Sequence, residues 1–192
     1  MGPHYTKARE SCMHYTGEFA DIATLSALEV LRLRTNGTPV LLVDVRLPEE
    51  QDVSMIEGAI SLDEFESSHR RDQYGPAALA NTTVVPYCTI GYRSGAYARK
   101  LKTLGYRHVR NGEGIVMWTH DIGSGLVDRD GRETKYVHTY GPPWDLVASD
   151  YHSVHFGVWN WIQSHSRGAW RWVTGVWRHV FPLERESTQC TS

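Results

Sequence analysis

Cysteine is scarce in this chain of 192 residues: there are three, at Cys12, Cys88 and Cys190, an odd number spread from end to end. Such a set argues against a disulfide framework and for a reducing compartment, the cytoplasm or an equivalent. No apolar run approaches the roughly eighteen residues a membrane-spanning helix needs, so no spanning segment is expected. The first residues, Met1-Gly2-Pro3-His4-Tyr5-Thr6-Lys7, lack the apolar core of a secretion signal. Met1-Gly2 with Thr6 meets the loose pattern for N-myristoylation, and Pro3 directly after the glycine argues against it. Charge of one sign is lacking too: the formal net charge is -2, which gives nucleic acid no reason to bind. Histidine is plentiful, ten in all, and His152 and His155 are spaced to share a helical face. No cysteine or carboxylate cluster completes a ligand set, so no metal is expected.

What is present suits an α/β domain. The hydrophobic share of 41% is enough for a core, and the length supports one main domain plus an extension. Residues 19–34 carry Ile22, Leu25, Leu28, Leu31 and Leu33 near helical spacing and end at Asn36-Gly37, a stop signal before Pro39. Val40 to Val45 is an apolar strand, and Pro48-Glu49-Glu50 starts a short helix after it. Residues 59–62 read as a strand, 63–80 as polar helix and loop, 82–87 as a second apolar strand, 94–104 as a helix and 107–110 as a last strand. Strands alternating with helices predict a central parallel sheet with helices on both faces. Pro86, in what should be a central strand, predicts a bulge or the strand's end.

The strand over 82–87 runs straight into Cys88-Thr89-Ile90-Gly91-Tyr92-Arg93-Ser94, and a helix follows. A thiol between a strand and a helix N-terminus meets free N–H groups and the positive end of the helix dipole, which stabilise a thiolate. Arg93 adds a fixed positive charge. In parallel sheets the ligand site lies at the carboxyl ends of strands, where Cys88 falls. A buried structural cysteine is the plain alternative. Two kinds of enzyme build such a loop. Protein tyrosine phosphatases need one residue more between cysteine and arginine to wrap a phosphate; here only Thr89, Ile90, Gly91 and Tyr92 intervene. The shorter loop encloses a volume better matched to one sulfur atom on the cysteine.

Four blocks in order carry a resemblance. Val40 to Glu50 has an Asp44-Val45-Arg46 strand ending and a Pro-Glu-Glu helix start, and Ile56-Glu57-Gly58-Ala59-Ile60 follows. Cys88 to Ser94 then reads Cys-x-x-Gly-x-Arg-Ser, and Asn111-Gly112-Glu113-Gly114-Ile115-Val116-Met117-Trp118 closes the set. Together they resemble the rhodanese family, the single-domain sulfurtransferases, over roughly residues 19–125, leaving 126–192 as an extension packed on the domain. Glu57 stands where the family has proline and Glu113 where it usually has glycine. The resemblance implies sulfur transfer by double displacement, with Cys88 as nucleophile and persulfide carrier. The backbone N–H groups from Thr89 to Ser94 would form the anion-binding loop, with no organic cofactor. The donor would be a small sulfane-sulfur compound such as thiosulfate, and the acceptor cyanide or a thiol. Asp44 and Arg46 would shape the surroundings of the site. Tyr92 would either reach the pocket mouth or pack on the surface, and Arg93 would bind an anionic donor, brace the loop, or both.

The extension is less legible. Asp128-Arg129-Asp130-Gly131 is a turn signal, and 133–140 alternates as a strand, so a small hairpin is expected. Trp159, Trp161, Trp170, Trp172 and Trp177 then crowd the C-terminus, with Trp170, Val173, Trp177 and Val180 at helical spacing. They read either as a helix folded onto the domain or as an interfacial helix that docks on a partner protein or a membrane. Three functions follow: a sulfurtransferase through Cys88, a noncatalytic rhodanese module binding through the tryptophans, and a phosphatase or arsenate reductase, against which the short loop counts.

Overall fold

The computed structural model of the protein describes residues 2–67, 71–139 and 141–155. Its organising strand is β2 (Val40–Asp44), aliphatic on both faces because both faces are covered. With β1 (Thr24–Leu25), β3 (Met55–Ile56), β4 (Ile60–Ser61), β5 (Thr83–Tyr87) and β6 (Asn111–Gly112) in place, the pairing becomes clear. β2 pairs in parallel with β5 over its whole length and with β4 at its end. β1 pairs in parallel with β6, and a parallel bridge from Val84 to Val109 joins the 108–112 segment to β5. The expected central parallel sheet is therefore present, with spatial order β1-β6-β5-β2-β4.

Helices cover both faces. Alternate residues of the central strands point to opposite sides, so Leu42 and Val85 enter one core and Val43 and Val84 the other. The first core takes Val30 of α2 (Ala27–Thr35) and Ile115, Val116 and Trp118 of α7 (Ile115–Asp121). The second takes Phe65 of α4 (Leu62–Glu66), Tyr74 of α5 (Arg71–Tyr74), and Tyr97, Ala98 and Leu101 of α6 (Tyr92–Thr103). α3 (Pro48–Val53) begins at the expected Pro-Glu-Glu. The helix expected over 19–34 starts only at Ala27, because Ser26 and Glu29 form a reciprocal capping box there. A further helix, α1 (Pro3–Gly17), has no counterpart in the sequence reading.

Pro86 makes no bulge: it sits opposite Val43 in unbroken register. Its missing N–H lies on the other edge of β5. There Val84 N–H reaches His108 O and Arg110 N–H reaches Val84 O, and residue 86 has no hydrogen with which to continue that ladder. Glu57 also has a physical reason to replace a proline. Its N–H donates to Gly125 O at 2.9 Å, beside the antiparallel pair of β3 with β7 (Leu126–Val127), a bond proline could not make.

Beyond β7 the turn at Asp128 to Gly131 closes as expected, but the hairpin shrinks to one bridge between Val127 and Glu133. β8 (Tyr136–His138) pairs instead, in parallel, with β9 (His152–Val154). His152 therefore begins a strand rather than a helix and does not share a helical face with His155. A 3₁₀ turn at Pro142–Trp144 joins the two strands, and all of these elements belong to one compact unit with the sheet. The tryptophans from Trp159 to Trp177 lie outside the described residues. No helix among the described residues is long and apolar enough to cross a membrane.

Candidate active site

Cys88 directly follows β5 and is buried, as are Thr89, Ile90, Gly91 and Ser94. Its Sγ accepts the N–H of Gly91 at 3.2 Å and faces Ser94 Oγ at 3.5 Å. Gly91 takes a left-handed backbone, φ 96°, at the N-cap of α6, which starts two residues before the position expected from sequence. The first bond across this end is Gly95 N–H to Gly91 O, so the loop runs into the N-terminal end of the helix, where backbone N–H groups point. Sulfur thus lies where amide donors and the helix dipole favour negative charge.

Three carbonyls of the loop are held from outside it. Cys88 O accepts from Ile115 N at 2.9 Å, Thr89 O from Val116 N at 3.2 Å, and Gly91 O from the buried Asn111 Nδ2 at 2.8 Å. The approach of α7 requires Gly114, whose φ is 108°; a Cβ there would stand 2.4 Å from Thr89 O. The Asn-Gly-Glu-Gly segment is thus the back wall of the cysteine loop.

Arg93 braces the loop. Its two terminal nitrogens meet Glu50 of α3 at 2.7 and 2.9 Å, and one of them also donates to Thr89 Oγ1 at 3.1 Å. Burial by itself would raise the Glu50 carboxyl; the charge and hydrogen bonds of Arg93, helped by His138, overcome this and hold it well below the usual carboxylate range. Asp44 and Arg46 form a second, wholly buried ion pair at 2.6 Å, and Arg46 also donates to Ser54 O. That pair fixes the turn from β2 into α3 and so places Glu50. Tyr92 is half-buried and packs edge-on against Tyr15 and Phe19 at ring distances of 6.0 and 5.4 Å.

Several residues around the loop were not singled out from the sequence. Glu50 looked like an ordinary helix-start acid, and His138 lies beyond the loop motifs. α1 and the turn after it also reach this place: Thr16 Cγ2 would be 2.5 Å from a Cβ on Gly91, and the Phe19 ring 2.3 Å from one on Gly95. Arg9 of α1 ties down Glu113 at 2.5 Å and Asp121 at 2.9 Å, and Cys12 Sγ donates to Glu113 O at 3.3 Å. Glu113, in a glycine's usual place, is therefore the anchor for this helix. Burial pushes the Cys12 thiol well above its ordinary range. Among the described residues no group of three or more His, Cys, Asp or Glu is gathered to hold a metal, and His155 is turned to Asp145 at 2.6 Å.

The rhodanese-like domain family model matches residues 26–120. Thiosulfate sulfurtransferase PspE of Escherichia coli (strain K12) is 36% identical over 73 residues, covering 38% of this chain and 68% of that one. Among solved structures, the human single-domain sulfurtransferase TSTD1 has 27% identity and a TM-score of 0.41, over 51% of this chain and 96% of that one. Thiosulfate sulfurtransferase from Pseudomonas aeruginosa has 24% identity and a TM-score of 0.48, over 67% of this chain and 23% of that one. On its sequence match and its shared length with PspE, the chain belongs to the rhodanese-like domain family.

Proposed function

We propose that the protein is a sulfurtransferase in which Cys88 carries sulfane sulfur as a persulfide. The observation that carries this reading is the cradle of the Cys88 Sγ, with Gly91 N–H at 3.2 Å and Ser94 Oγ at 3.5 Å at the start of a twelve-residue helix. The name of the Escherichia coli relative points the same way. The Cys88 thiolate attacks the outer sulfur of thiosulfate, a sulfur–sulfur bond forms, and sulfite leaves with the electron pair of the bond that breaks. The persulfide's negative charge rests among the amide groups at the mouth of α6, which are fixed before the sulfur arrives. Cyanide or a thiol then attacks the outer sulfur, and the Cys88 thiolate returns. Residues 19–125 carry this chemistry, with 126–192 as the extension, in the cytoplasm or another reducing compartment that keeps the thiol free.

The test is intact mass after incubation of the reduced protein with thiosulfate, beside Cys88→Ser, followed by cyanide with thiocyanate as readout. One sulfur gained by the wild type alone, and discharged by cyanide, is the expected result. No sulfur adduct from thiosulfate or from a persulfide donor overturns the reading.

A further inference from the structure

The wall behind the cysteine loop holds a buried amide that packing alone does not explain. Asn111 lies on β6 with none of its surface exposed. Its main chain is fixed from both sides. The N–H donates to Ala23 O at 2.9 Å, in register with Thr24 of β1, and a Cβ on the next residue, Gly112, would stand 3.0 Å from Tyr87 Cβ of β5. Nδ2 donates to Gly91 O at 2.8 Å. A carbonyl only accepts, so it is the nitrogen of the amide that faces it. Oδ1 is buried and has no hydrogen-bond partner among the described residues. An unmet acceptor in a core costs stability that an aliphatic side chain would not, which marks the bond to Gly91 as the role of this amide.

That bond falls on the peptide between Gly91 and Tyr92. Its oxygen accepts twice, from Asn111 Nδ2 and from the Gly95 N–H at 3.1 Å. In a trans peptide the N–H points opposite to the C=O, so fixing Gly91 O fixes the direction of the Tyr92 N–H. Gly91 has a ψ of -7°, which eclipses its own nitrogen with that of Tyr92 and sets the two side by side. The Gly91 N–H is on Cys88 Sγ at 3.2 Å, and the Tyr92 N–H is its neighbour in the same turn. Adjacent N–H groups in a left-handed turn form a concavity that suits an anion.

We propose that Asn111 is a positioning residue for the Cys88 persulfide, acting through the Gly91 carbonyl on the Tyr92 N–H. The inference rests on the sulfurtransferase reading and adds the group that serves the outer sulfur. A persulfide extends one atom beyond Sγ and carries its negative charge there. The Gly91 N–H serves the inner sulfur, and the Tyr92 N–H serves the outer one. Without Asn111, Gly91 O keeps only the Gly95 N–H at the fraying end of the helix, and the peptide rocks. The persulfide then loses support while the thiolate keeps its own donor. Loading from thiosulfate is reversible, since the sulfite that leaves with the electron pair can attack the outer sulfur again. The ratio of persulfide to thiolate at a set ratio of thiosulfate to sulfite therefore reads the difference.

The experiment measures that ratio by intact mass on the full chain, in wild type and Asn111→Leu, over a series of thiosulfate and sulfite mixtures. Cys88→Ser is the blank for sulfur on the other cysteines. Asn111→Leu is expected to need roughly three- to tenfold more thiosulfate over sulfite for half loading, the scale of one hydrogen bond. A merely structural role would change the unfolding midpoint and leave this ratio in place. The second readout is the Tyr92 amide proton of isotope-labelled wild type, followed by nuclear magnetic resonance, which is expected to move downfield on loading. Should Asn111→Leu fail to fold, this wild-type signal decides. Equal loading of Asn111→Leu and wild type, or a Tyr92 amide that stays in place as sulfur is gained, overturns the proposal and leaves the transferase reading standing. A wild type that takes no sulfur from thiosulfate or from a persulfide donor removes the transferase reading, and the positioning role with it.

Discussion

Glu50→Gln tests the electrostatic frame of the loop. The carboxylate is wholly buried and makes two charge-assisted bonds to Arg93, at 2.7 and 2.9 Å, and a third to the Leu47 N–H. Removing one partner of a buried ion pair costs about 3–5 kcal/mol, because the other charge is left uncompensated. Glutamine keeps one acceptor oxygen, and the Arg93 side chain is 26% exposed, so water takes up part of the orphaned charge. The expected loss therefore falls to the bottom of that range or just below it, about 2–3 kcal/mol at neutral pH. For a chain of this size that is a fall of roughly 4–12 °C in Tm. The pH dependence has a definite sign. The folded pKa of Glu50 lies below its unfolded value, so its contribution is fully present above the unfolded glutamate pKa of about 4.3. It fades as pH falls further. Urea titrations of wild type and variant at neutral pH, and in steps below about pH 4, measure both quantities. Asp52→Asn, an exposed carboxylate on the same helix, serves as control and is expected to change stability by less than about 0.5 kcal/mol. A Glu50→Gln difference below about 1 kcal/mol at neutral pH, or one that stays constant into acid, refutes the reasoning.

Gly114→Ala is expected to cost at least about 3 kcal/mol in equilibrium unfolding, since it combines a left-handed φ of 108° with a Cβ 2.4 Å from Thr89 O. Glu57→Pro, which restores the residue the family usually has, is expected to lower stability by about 1 kcal/mol. The N–H given to Gly125 O at 2.9 Å is lost, and chemical denaturation reads the change. Cys12 is expected to stay unmodified by iodoacetamide in the native protein at neutral pH and to react fully in urea, as peptide mapping will show; burial raises its thiol pKa, and Sγ donates to Glu113 O.

What could be read from the sequence was what is encoded locally. β2, the Pro-Glu-Glu helix start and the Cys88 loop announce themselves through runs of aliphatic residues, a proline at a helix start and a glycine at a sharp turn. α1 gave no such signal, because its buried face is made of Ala8 and Cys12, too small to form an apolar stripe among polar neighbours. The Glu50–Arg93 pair is forty-three positions apart in sequence, and a glutamate in a first helical turn reads as dipole compensation until the fold brings the arginine to it. Pro86 misled for a different reason. A strand has two edges, and only the tertiary arrangement shows that the edge without a hydrogen is not the one facing β2. The hairpin after β7 was half legible, because turn chemistry sets the reversal and not the partner that the returning strand takes.

The contacts of α1 and Phe19 give the molecule two different borders. Alignment marks off residues 26–120, but Phe19 fills the space that Gly95 leaves at the start of α6, and Thr16 seals the outer side of Gly91. A chain trimmed to the aligned borders would keep every motif residue and lose the covering of both glycines. It would show as a fragment with every motif on paper and a softened, wetter cysteine turn. The border that packing draws around this turn therefore lies outside the one that homology can name.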